Sequence, residues 1–447
     1  MRAYESIALG IPEILLPKTG TDLAKWAVIA CDQYTSEPAY WEKAAVFVGE
    51  APSTLRLIYP EVFLNEPEGD KSARIARIRE TMSAYFARNL FDSSEGLVYV
   101  ERTTGGKTRK GLVVALDLER YDYRKSSTTL IRATEGTIIE RIPPRVRIRE
   151  GAPMELPHIM VLIDDPAGEV IGPLAAATEK LEKLYDFELM LGSGHLAGYR
   201  VSDRSLEDGI VRALSRLVDP RAFAAKYGLK EGTPVLLYAM GDGNHSLATA
   251  KTIWEKTKEA AGDLSLVMNS PLRYAIVELV NVHDEALAFE PIHRVLFDLA
   301  PGRNFLEELK SFYGGKVRYE PSCCLKMMKA AVDGQSGPAH RVGVITPEEY
   351  GVLEVEAAGS NLPVGTLQNF LDIFMKNKGA REIDYVHGTE IVTSLGEKSG
   401  NMGFYLSGMR KTDLFKTVIL DGALPRKTFS MGEAWEKRFY MEGRRLG

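Results

Sequence analysis

Residues 235–254 read VLLYAMGDGNHSLATAKTIW and combine three structural signals in one short stretch. The apolar run at 235–240 predicts a buried strand. The apolar residues within 247–254 have helical spacing and predict a helix with one buried face. Gly-Asp-Gly-Asn-His-Ser at 241–246 lies between the two. The chain is therefore organised around a strand that enters a glycine-rich turn and then opens a helix.

The turn at 241–246 has the chemistry of an anion site. The first turn of a helix presents backbone N–H groups without partners and the positive end of the helix dipole, and both favour phosphate. The two glycines allow positive φ or close backbone approach, while Asp242 and His245 add a carboxylate and an imidazole. The alternative is an ordinary turn in which Asn244 or Ser246 is the helix N-cap.

Composition sets the class of protein. The chain has 447 residues, a net charge of −5, 45% hydrophobic and 26% charged residues, which are globular values that give no global reason to expect nucleic-acid binding. Its three cysteines match no disulfide framework or zinc spacing. No signal peptide and no run of about 20 apolar residues is evident. We therefore expect a soluble, cytoplasmic protein that neither enters membranes nor binds nucleic acid.

The alternation of helical and extended patterns predicts an α+β fold with mixed sheets and interspersed helices. We expect three parts, an N-terminal α/β region at 1–125, a central domain with the glycine-rich turn at 126–270, and a C-terminal α+β region at 271–447. Residues 70–89 and 174–191 are predicted helices. Residues 96–103 and 110–118 predict a hairpin. The basic and aromatic tail predicts either closure of a site or a helical surface patch.

A polar segment at 131–153 is rich in arginine. Pro143-Pro144 is expected to exclude a continuous helix. Arginine in an irregular segment suits phosphate or carboxylate, because the guanidinium binds both bidentately. The alternative is a solvated strand whose alternating arginines share one face. The polar residues that bear on this choice are Glu135, Thr137, Arg141, Arg145, Arg147 and Arg149.

Several spaced motifs together resemble family 1015 of the domains of unknown function, over nearly the whole chain. The matched segments are 52–61, against an early Pro-x-Ser-Phe-Leu segment that ends in Arg-Pro-Glu; 132–137, against Pro-His-Glu-x-Thr, with Arg145 after it; 242–246, against Asp-Gly-His-His-Arg; 290–294, against Pro-Thr-His-Arg; 385–387, against Tyr-Thr-His; and 424–428, against Met-Pro-x-Lys-Ser/Thr. On this resemblance Thr137, His293, Arg294, His387 and Lys427 join the candidate binding residues.

The chain departs from those motifs at the central turn. Asn244 and Ser246 stand where the family has its first His and its Arg, so Arg145 or Arg294 has to supply that charge. The motif that opens the helix is also similar to the nucleotide-contacting box of the ParB/sulfiredoxin superfamily, over only the central twenty or so residues. Sulfiredoxin's catalytic cysteine has no counterpart there, which argues against sulfinic-acid reduction.

The leading hypothesis is a nucleotide- or phosphate-binding enzyme, a phosphotransferase that acts on a small molecule with ATP or ADP and Mg²⁺. Gly243, Asn244 and Ser246 would hold phosphate, with Arg145 and Arg294 as cationic clamps. Glu135 or Asp242 would be the general base or a Mg²⁺ ligand. His245 would polarise a phosphate oxygen or move a proton.

Two other classes remain open. One is a nucleotide-gated binding protein of ParB type without catalysis, against which the acidic balance and the lack of a helix-turn-helix pattern count. The other is a metal-dependent hydrolase built on His195, His245, His293 and His387. Against it, no two histidines have the i, i+4 ligand spacing on one helix.

Overall fold

Residues 1–356 and 359–447 are described by the structure, a computed structural model. The chain divides into a first unit, residues 1–287 with 433–447, and a second unit, residues 288–432. Both units contain helices and sheets, so the predicted α+β class is confirmed. The predicted three-part division, with boundaries after residues 125 and 270, stays a prediction.

The strands and helices are numbered in chain order. Those of the first unit before the chain enters the second are β1 Arg2–Tyr4, β2 Leu9–Ile11, β3 Glu13–Pro17, α1 Leu23–Trp26, β4 Val28–Ile29, α2 Pro38–Val48, α3 Glu68–Ala87, β5 Phe91–Glu95, β6 Leu97–Thr104, β7 Lys107–Asp117, β8 Tyr121–Asp122, β9 Ile131–Arg132, α4 Ile142–Arg149, β10 Met154–Glu155, β11 Met160–Ile163, α5 Gly172–Ala177, β12 Glu182–Glu188, β13 His195–Val201, α6 Arg204–Leu217, α7 Pro220–Tyr227, β14 Tyr238–Asp242, α8 Asn244–Ala260 and β15 Tyr274–Asn281. Those of the second unit are β16 Glu290–Leu299, α9 Phe305–Phe312, β17 Val317–Ser322, α10 Leu325–Asp333, β18 His340–Ile345, β19 Tyr350–Val355, α11 Pro363–Lys376, β20 Ala380–His387, α12 Thr389–Gly396, β21 Met402–Tyr405, α13 Lys411–Asp421 and β22 Phe429–Ser430. The chain then returns to the first unit with β23 Phe439–Tyr440 and β24 Arg444–Arg445.

One large mixed sheet organises the first unit. Its strand order is β12-β13-β6-β7-β15-β11-β14-β9-β8, and β2 pairs with β7 away from this path. The β11–β15, β14–β9 and β9–β8 pairs are parallel, and the remaining pairs are antiparallel. Strands β11 and β15 are buried along almost their whole length. Strand β11 is a continuous apolar run and β15 is an apolar run interrupted by Glu278, because both faces of the sheet are covered there.

The register of β11 against β14 positions the central turn. Met160 pairs with Asp242, so the residues just before Met160 lie beside the residues just after Asp242. The start of α8 is therefore held next to residues 157–159, about eighty positions earlier in the chain. This pairing, which no local sequence pattern reveals, decides what surrounds the turn.

Two local predictions are confirmed. Helix α3 covers the predicted 70–89 segment within two residues, and it buries Ile75, Ile78 and Met82. Strands β6 and β7 form the predicted hairpin, in which Thr104 pairs with Lys107 across a two-residue loop. Both loop residues are glycines with positive φ, 57° and 76°, as a tight hairpin turn requires.

Three expectations are wrong. Residues 174–191 are not one helix, since α5 ends at Ala177 and β12 follows as the edge strand beside β13. Pro143-Pro144 does not exclude a helix, because both prolines lie in the first turn of α4, where no backbone N–H is needed. Of the two alternatives for the tail, a helical surface patch is wrong for residues 438–444, which are buried and carry β23 and part of β24, and closure of a site stays a prediction.

The second unit is built on an antiparallel sheet with the order β17-β19-β18-β21-β16-β20, and β22 pairs with β16. Helices α10 and α12 cover it with Met328, Val332 and Val392, which pack on Val295 and Ile345 of the sheet. This unit therefore has a hydrophobic cluster of its own.

A buried ion network fixes the returning tail to the sheet of the first unit. Arg438 donates to Glu278 of β15, to Glu442 Oε2 at 2.5 Å and to the carbonyl of Pro157 at 3.1 Å. Arg109 of β7 lies 3.4 Å from Glu278 on the other side. Burial alone lowers the pKa of Arg438, but the two carboxylates outweigh it and raise that pKa. The network is therefore charged, and each partner depends on the others.

Replacing Arg438 by methionine is expected to lower the free energy of unfolding by about 3–5 kcal/mol, because it removes the cation that pairs with the buried Glu442 and leaves Glu278 with Arg109 alone. Urea unfolding followed by tryptophan fluorescence measures the change. Arg124→Ala removes an ion pair to Asp122 whose arginine is 82% exposed and is the matched control, with little change expected. An Arg438→Met protein as stable as the control contradicts the role given to this network.

Candidate functional site

The central turn consists of one residue, Gly243, between the end of β14 and the start of α8. Its φ is +79°, and a Cβ atom there would lie 3.1 Å from the Cα of Ile159. Both the conformation and the space favour glycine. The amides of Ser246 and Leu247 donate to the Gly243 carbonyl, each at 3.0 Å. Those of Asn244 and His245 have no acceptor within the helix and are free to meet an anion.

Asp242 is ionised and already paired. Its Oδ1 accepts from the amide of Gly243 at 2.9 Å, and its Oδ2 lies 3.2 Å from Nζ of Lys437 in the returning tail. Burial raises the pKa of this carboxyl, but the charge of Lys437 and the hydrogen bonds from Lys437 and the Gly243 amide lower it by more, so the net shift is downward. As a negative group bound to a lysine, Asp242 is a fixed charge rather than a ready proton acceptor.

His158 is the centre of a hydrogen-bonded cluster next to the turn. Its Nε2 lies 3.0 Å from Ser246 Oγ and 3.6 Å from Asp32 Oδ2, and its Nδ1 lies 2.6 Å from the hydroxyl of Tyr440. That hydroxyl also accepts from the amide of Cys31 at 3.2 Å. Burial raises the pKa of Tyr440 well above its ordinary value, so the tyrosine keeps its proton.

The tautomer of His158 follows from these contacts. The Tyr440 hydroxyl is able to donate to Nδ1 while its oxygen accepts from the Cys31 amide, and the Asp32 carboxylate on the Nε2 side favours a proton on that nitrogen. Nδ1 is then the acceptor and Nε2 carries the ring proton. The Nε2–H group faces Ser246 and Asp32, so His158 presents a donor to whatever lies at the N-terminus of α8.

Glu61 and Arg145 form a second, half-buried pair. Arg145 Nη2 contacts Glu61 Oε1, and Arg145 Nη1 donates to the carbonyl of Arg141 at 2.7 Å. The amide of Glu61 donates to the carbonyl of Cys31 at 2.8 Å, which ties this pair to the His158 cluster. Burial raises the pKa of Glu61, and Arg145 lowers it by less, so the net shift is upward. Glu61 is the carboxyl in this region best suited to exchange a proton.

His245 is neutral at ordinary pH. Its Nε2 accepts a hydrogen bond from the amide of Ile138 at 3.3 Å. Burial, together with the positive charges of Arg145 and Arg141, lowers its pKa to about 4. The imidazole therefore helps to hold the 131–141 segment over the turn, and it does not add a positive charge to the anion site.

A cavity of about 130 Å³ opens beside this cluster. Most of its wall is hydrocarbon from the segment at 57–64, from α3, from α4 and from the segment at 152–159. The polar residues of the wall outside the Arg149–Glu155 ion pair are Cys31, Tyr59, Glu61, Arg145, His158, Ser246, Thr249 and Tyr440. The cavity and the N-terminus of α8 thus share Ser246.

Two predicted binding residues hold polar atoms that the described residues leave unsatisfied. Asn244 Oδ1 and Thr137 Oγ1 are both buried and have no hydrogen-bond partner among residues 1–356 and 359–447. A buried polar atom without a partner costs free energy, which a ligand is able to recover. Glu135, the third predicted residue of this segment, is half-buried.

The second unit holds the other predicted residues. Arg294 is fully buried and donates to Gln368 Oε1 at 3.2 Å, to the Ile292 carbonyl and to the Arg426 carbonyl at 2.9 Å. His293 is buried, accepts from the Leu406 amide at 3.2 Å and has its pKa lowered to about 4 by burial and by Arg294. His387 and Lys427 are exposed. The first unit contains the remaining candidates, and the assignment of all of them to a site stays a prediction.

Sequence reasoning missed much of the cluster in the first unit. His158 lies in a mostly apolar run two residues before the buried strand β11. Lys437 and Tyr440 belong to the tail, and Asp32 and Glu61 lie in segments that are far from the turn along the chain. The family motif matched to residues 52–61 ends in Arg-Pro-Glu, so it includes Glu61, and it is the one sequence signal for this residue.

Metal-ligand clusters and membrane-spanning helices are both absent from residues 1–356 and 359–447. There, no three or more His, Cys, Asp or Glu side chains are grouped as the ligands of a metal ion would be. Within the same residues, no helix has the length and apolar character that crossing a membrane requires.

The chain belongs to a protein family whose biochemical role is unassigned. The model of that family, described as "Protein of unknown function (DUF1015)", matches residues 15–374. The resemblance seen in the spaced motifs is thereby confirmed. Among curated proteins nothing matches.

Solved structures give distant likenesses. One is a conserved hypothetical protein from Pyrococcus furiosus, with 10% identity and a TM-score of 0.33 over 74% of this chain and 90% of that one. Another is a free serine kinase in complex with AMP, with 9% identity and a TM-score of 0.38 over 75% and 92%. A mutant of that kinase in complex with ADP gives 9% and 0.39 over 77% and 95%.

The charge state of His245 can be tested by titration. Its folded-state pKa of about 4 lies below the ordinary 6.5, so the unfolded chain binds more protons between these values. The stability that this site contributes is therefore lost as the pH falls from about 6.5 to about 4. Side-chain NMR, assigned with a His245→Gln variant, is expected to show no protonation of His245 between pH 6 and 8. A titration midpoint near 6.5 contradicts the neutral, buried state.

Proposed function

We propose that the first unit carries the active site of a phosphotransferase, which binds the phosphates of a nucleotide at the N-terminus of α8 and passes a phosphoryl group to a small molecule. One observation carries the proposal. Glu61, Arg145, His158 and Ser246 converge on one cavity beside that N-terminus, although they come from four separate segments of the chain. Phosphoryl transfer needs an anion site, a cation, a hydrogen-bond donor and a proton acceptor in one place.

Phosphate binding rests on fixed donors and on positive charge. The amides of Asn244 and His245 point out of the helix, and the Nε2–H of His158 and the hydroxyl of Ser246 lie beside them. Arg145 supplies a guanidinium that is held in place by Glu61 and by the carbonyl of Arg141. Because the cationic group that the family places at position 246 is missing, Arg145 takes that role in our proposal.

Proton transfer is assigned to Glu61. Asp242 is engaged by Lys437, and Glu135 does not line the cavity, whereas Glu61 does. In the proposed step the Glu61 carboxylate takes the proton of the acceptor hydroxyl, whose oxygen forms a bond to the γ-phosphorus. The bond from that phosphorus to the β–γ bridging oxygen breaks, and the nucleoside diphosphate leaves with the electron pair.

A Mg²⁺ ion, if carried by the nucleotide, needs little from the protein. Mg²⁺ commonly binds to substrate phosphates, water and one or two carboxylates. Asp242 is paired with Lys437, so Asp32, which accepts from Gln33 and lies 3.6 Å from Nε2 of His158, is the better candidate to meet it. The ion would shield the charge on the phosphates, while the contacts described above would orient them.

Calorimetric titration with ATP, ADP and CTP in the presence of Mg²⁺ tests the proposal. We expect binding of at least one of them, and an Arg145→Gln variant is expected to bind about ten-fold or more weakly, since a charge-assisted hydrogen bond contributes about 1.5–3 kcal/mol. Arg147→Gln is the matched control, because Arg147 lies on the same helix, is 52% exposed and pairs with Glu68 outside the cavity. Absence of binding at millimolar nucleotide overturns the proposal.

The role of Glu61 needs a separate variant. Glu61→Gln keeps the shape of the side chain and removes the proton acceptor, so nucleotide affinity is expected to stay within a few-fold while phosphoryl transfer falls by about 10²–10⁴-fold. Formation of nucleoside diphosphate in single turnover gives the rate. An unchanged rate assigns the proton transfer to another group.

A further inference from the structure

The wall of the cavity beside Ser246 divides into two chemically different parts. Cys31, Glu61, Arg145, His158, Ser246 and Tyr440 are connected to one another through hydrogen bonds and an ion pair, so they lie together. Most of the remaining wall is aliphatic or aromatic. It also contains the ion pair of Arg149 with Glu155, in which Arg149 Nε has no hydrogen-bond partner among residues 1–356 and 359–447. The cavity is therefore mostly apolar, with one linked polar cluster in its wall.

The apolar part is built by separate elements. Helix α3 contributes Ile78 and Met82, α4 contributes Ile148, and β15 contributes Ile276. The segment before β10 contributes Ala152. A hydrocarbon wall of this kind offers no hydrogen bonds, so it binds a ligand through the removal of apolar surface from water.

The volume limits the occupant. An engineered apolar cavity of about 150 Å³ takes up benzene, and the cavity here measures about 130 Å³. A purine has two fused rings and several polar edge atoms, so it exceeds this space and would leave its donors and acceptors unsatisfied. The nucleotide base is for both reasons an unsuitable occupant.

We infer that the phosphoryl acceptor is a small alcohol whose hydroxyl meets Glu61 and whose hydrocarbon part, an aliphatic chain of a few carbons or one ring, fills the cavity. This inference rests on the proposed function, and it adds the chemical class of the acceptor. The hydroxyl loses its proton to Glu61 and forms the new bond to phosphorus, the β–γ bridging oxygen leaves with the nucleoside diphosphate, and the product is the phosphate monoester of that alcohol.

The test uses the full chain with a panel of four alcohols. Benzyl alcohol and pentan-1-ol match the cavity, glycerol is polar, and 2-naphthylmethanol is too large. Saturation-transfer NMR without nucleotide measures binding, and phosphorus NMR with ATP and Mg²⁺ measures the monoester. We expect binding and phosphorylation of the first two, with kcat/KM at least ten-fold above that of glycerol and of the naphthyl compound.

Two variants change the cavity in opposite directions. Ala152→Leu extends a side chain into it and is expected to weaken benzyl alcohol binding by at least ten-fold. Met82→Ala enlarges it and is expected to admit 2-naphthylmethanol. Leu264→Ala changes an apolar side chain that is 54% exposed and outside the cavity, and it is expected to leave both ligands unaffected. If Ala152→Leu does not fold, the gain of naphthyl binding in Met82→Ala still decides the question.

The outcomes separate the acceptor from the nucleotide. Nucleotide binding without any preference for benzyl alcohol and pentan-1-ol over glycerol overturns this inference and leaves the proposed function standing. Benzyl alcohol binding that responds to both variants, without nucleotide binding, overturns the proposed function and with it the acceptor role. Binding and transfer that follow the size of the cavity support both.

Discussion

The buried contact of Arg438 with Glu278 and Glu442 is the constraint on which the first unit depends. It ties residues at the end of the chain to the middle of the large sheet, in a region where an unpaired charge is very costly. Arg438 lies one residue after Lys437 and two before Tyr440. Fixing the guanidinium therefore also fixes the ammonium that pairs with Asp242 and the phenol that orients His158. The second unit is inserted between residues 287 and 433, and the chain has to return for the cluster to be complete.

The surroundings of three titratable groups shift their pKa values for different reasons. Lys437 keeps Asp242 ionised, burial and two arginines keep His245 neutral, and burial raises the pKa of Glu61. Because their pKa values are shifted differently, these groups are able to provide a fixed charge, a neutral hydrogen-bonding group and an exchangeable proton at the same pH. The division of roles follows from burial and from the nearest charges, since two of the three groups are carboxyls of the same chemistry.

The sequence predicts the parts of this arrangement that depend on neighbours along the chain. The strand, Gly243 and the following helix are recognisable because turn chemistry and helical periodicity are local, and the same holds for the glycine hairpin between β6 and β7. The contact of His158 with Tyr440 joins residues 282 positions apart, and no local pattern reports it. The prediction that Pro143-Pro144 excludes a helix failed for a different reason. Proline breaks a helix in its interior but is accepted in its first turn, where both residues lie. The α+β class was accessible from sequence, whereas the partners of the turn were not.

Phosphate binding at the N-terminus of α8, completed by the returning tail, is the proposal on which the assigned residue roles depend. Amide chemical-shift mapping of the full chain during titration with ATP and Mg²⁺ addresses it most directly, since it reports on each N–H group by itself. We expect the largest shifts at Asn244, His245 and Ser246, with a second group of shifts at Lys437. Shifts confined to residues away from this turn, or none at saturating nucleotide, contradict it.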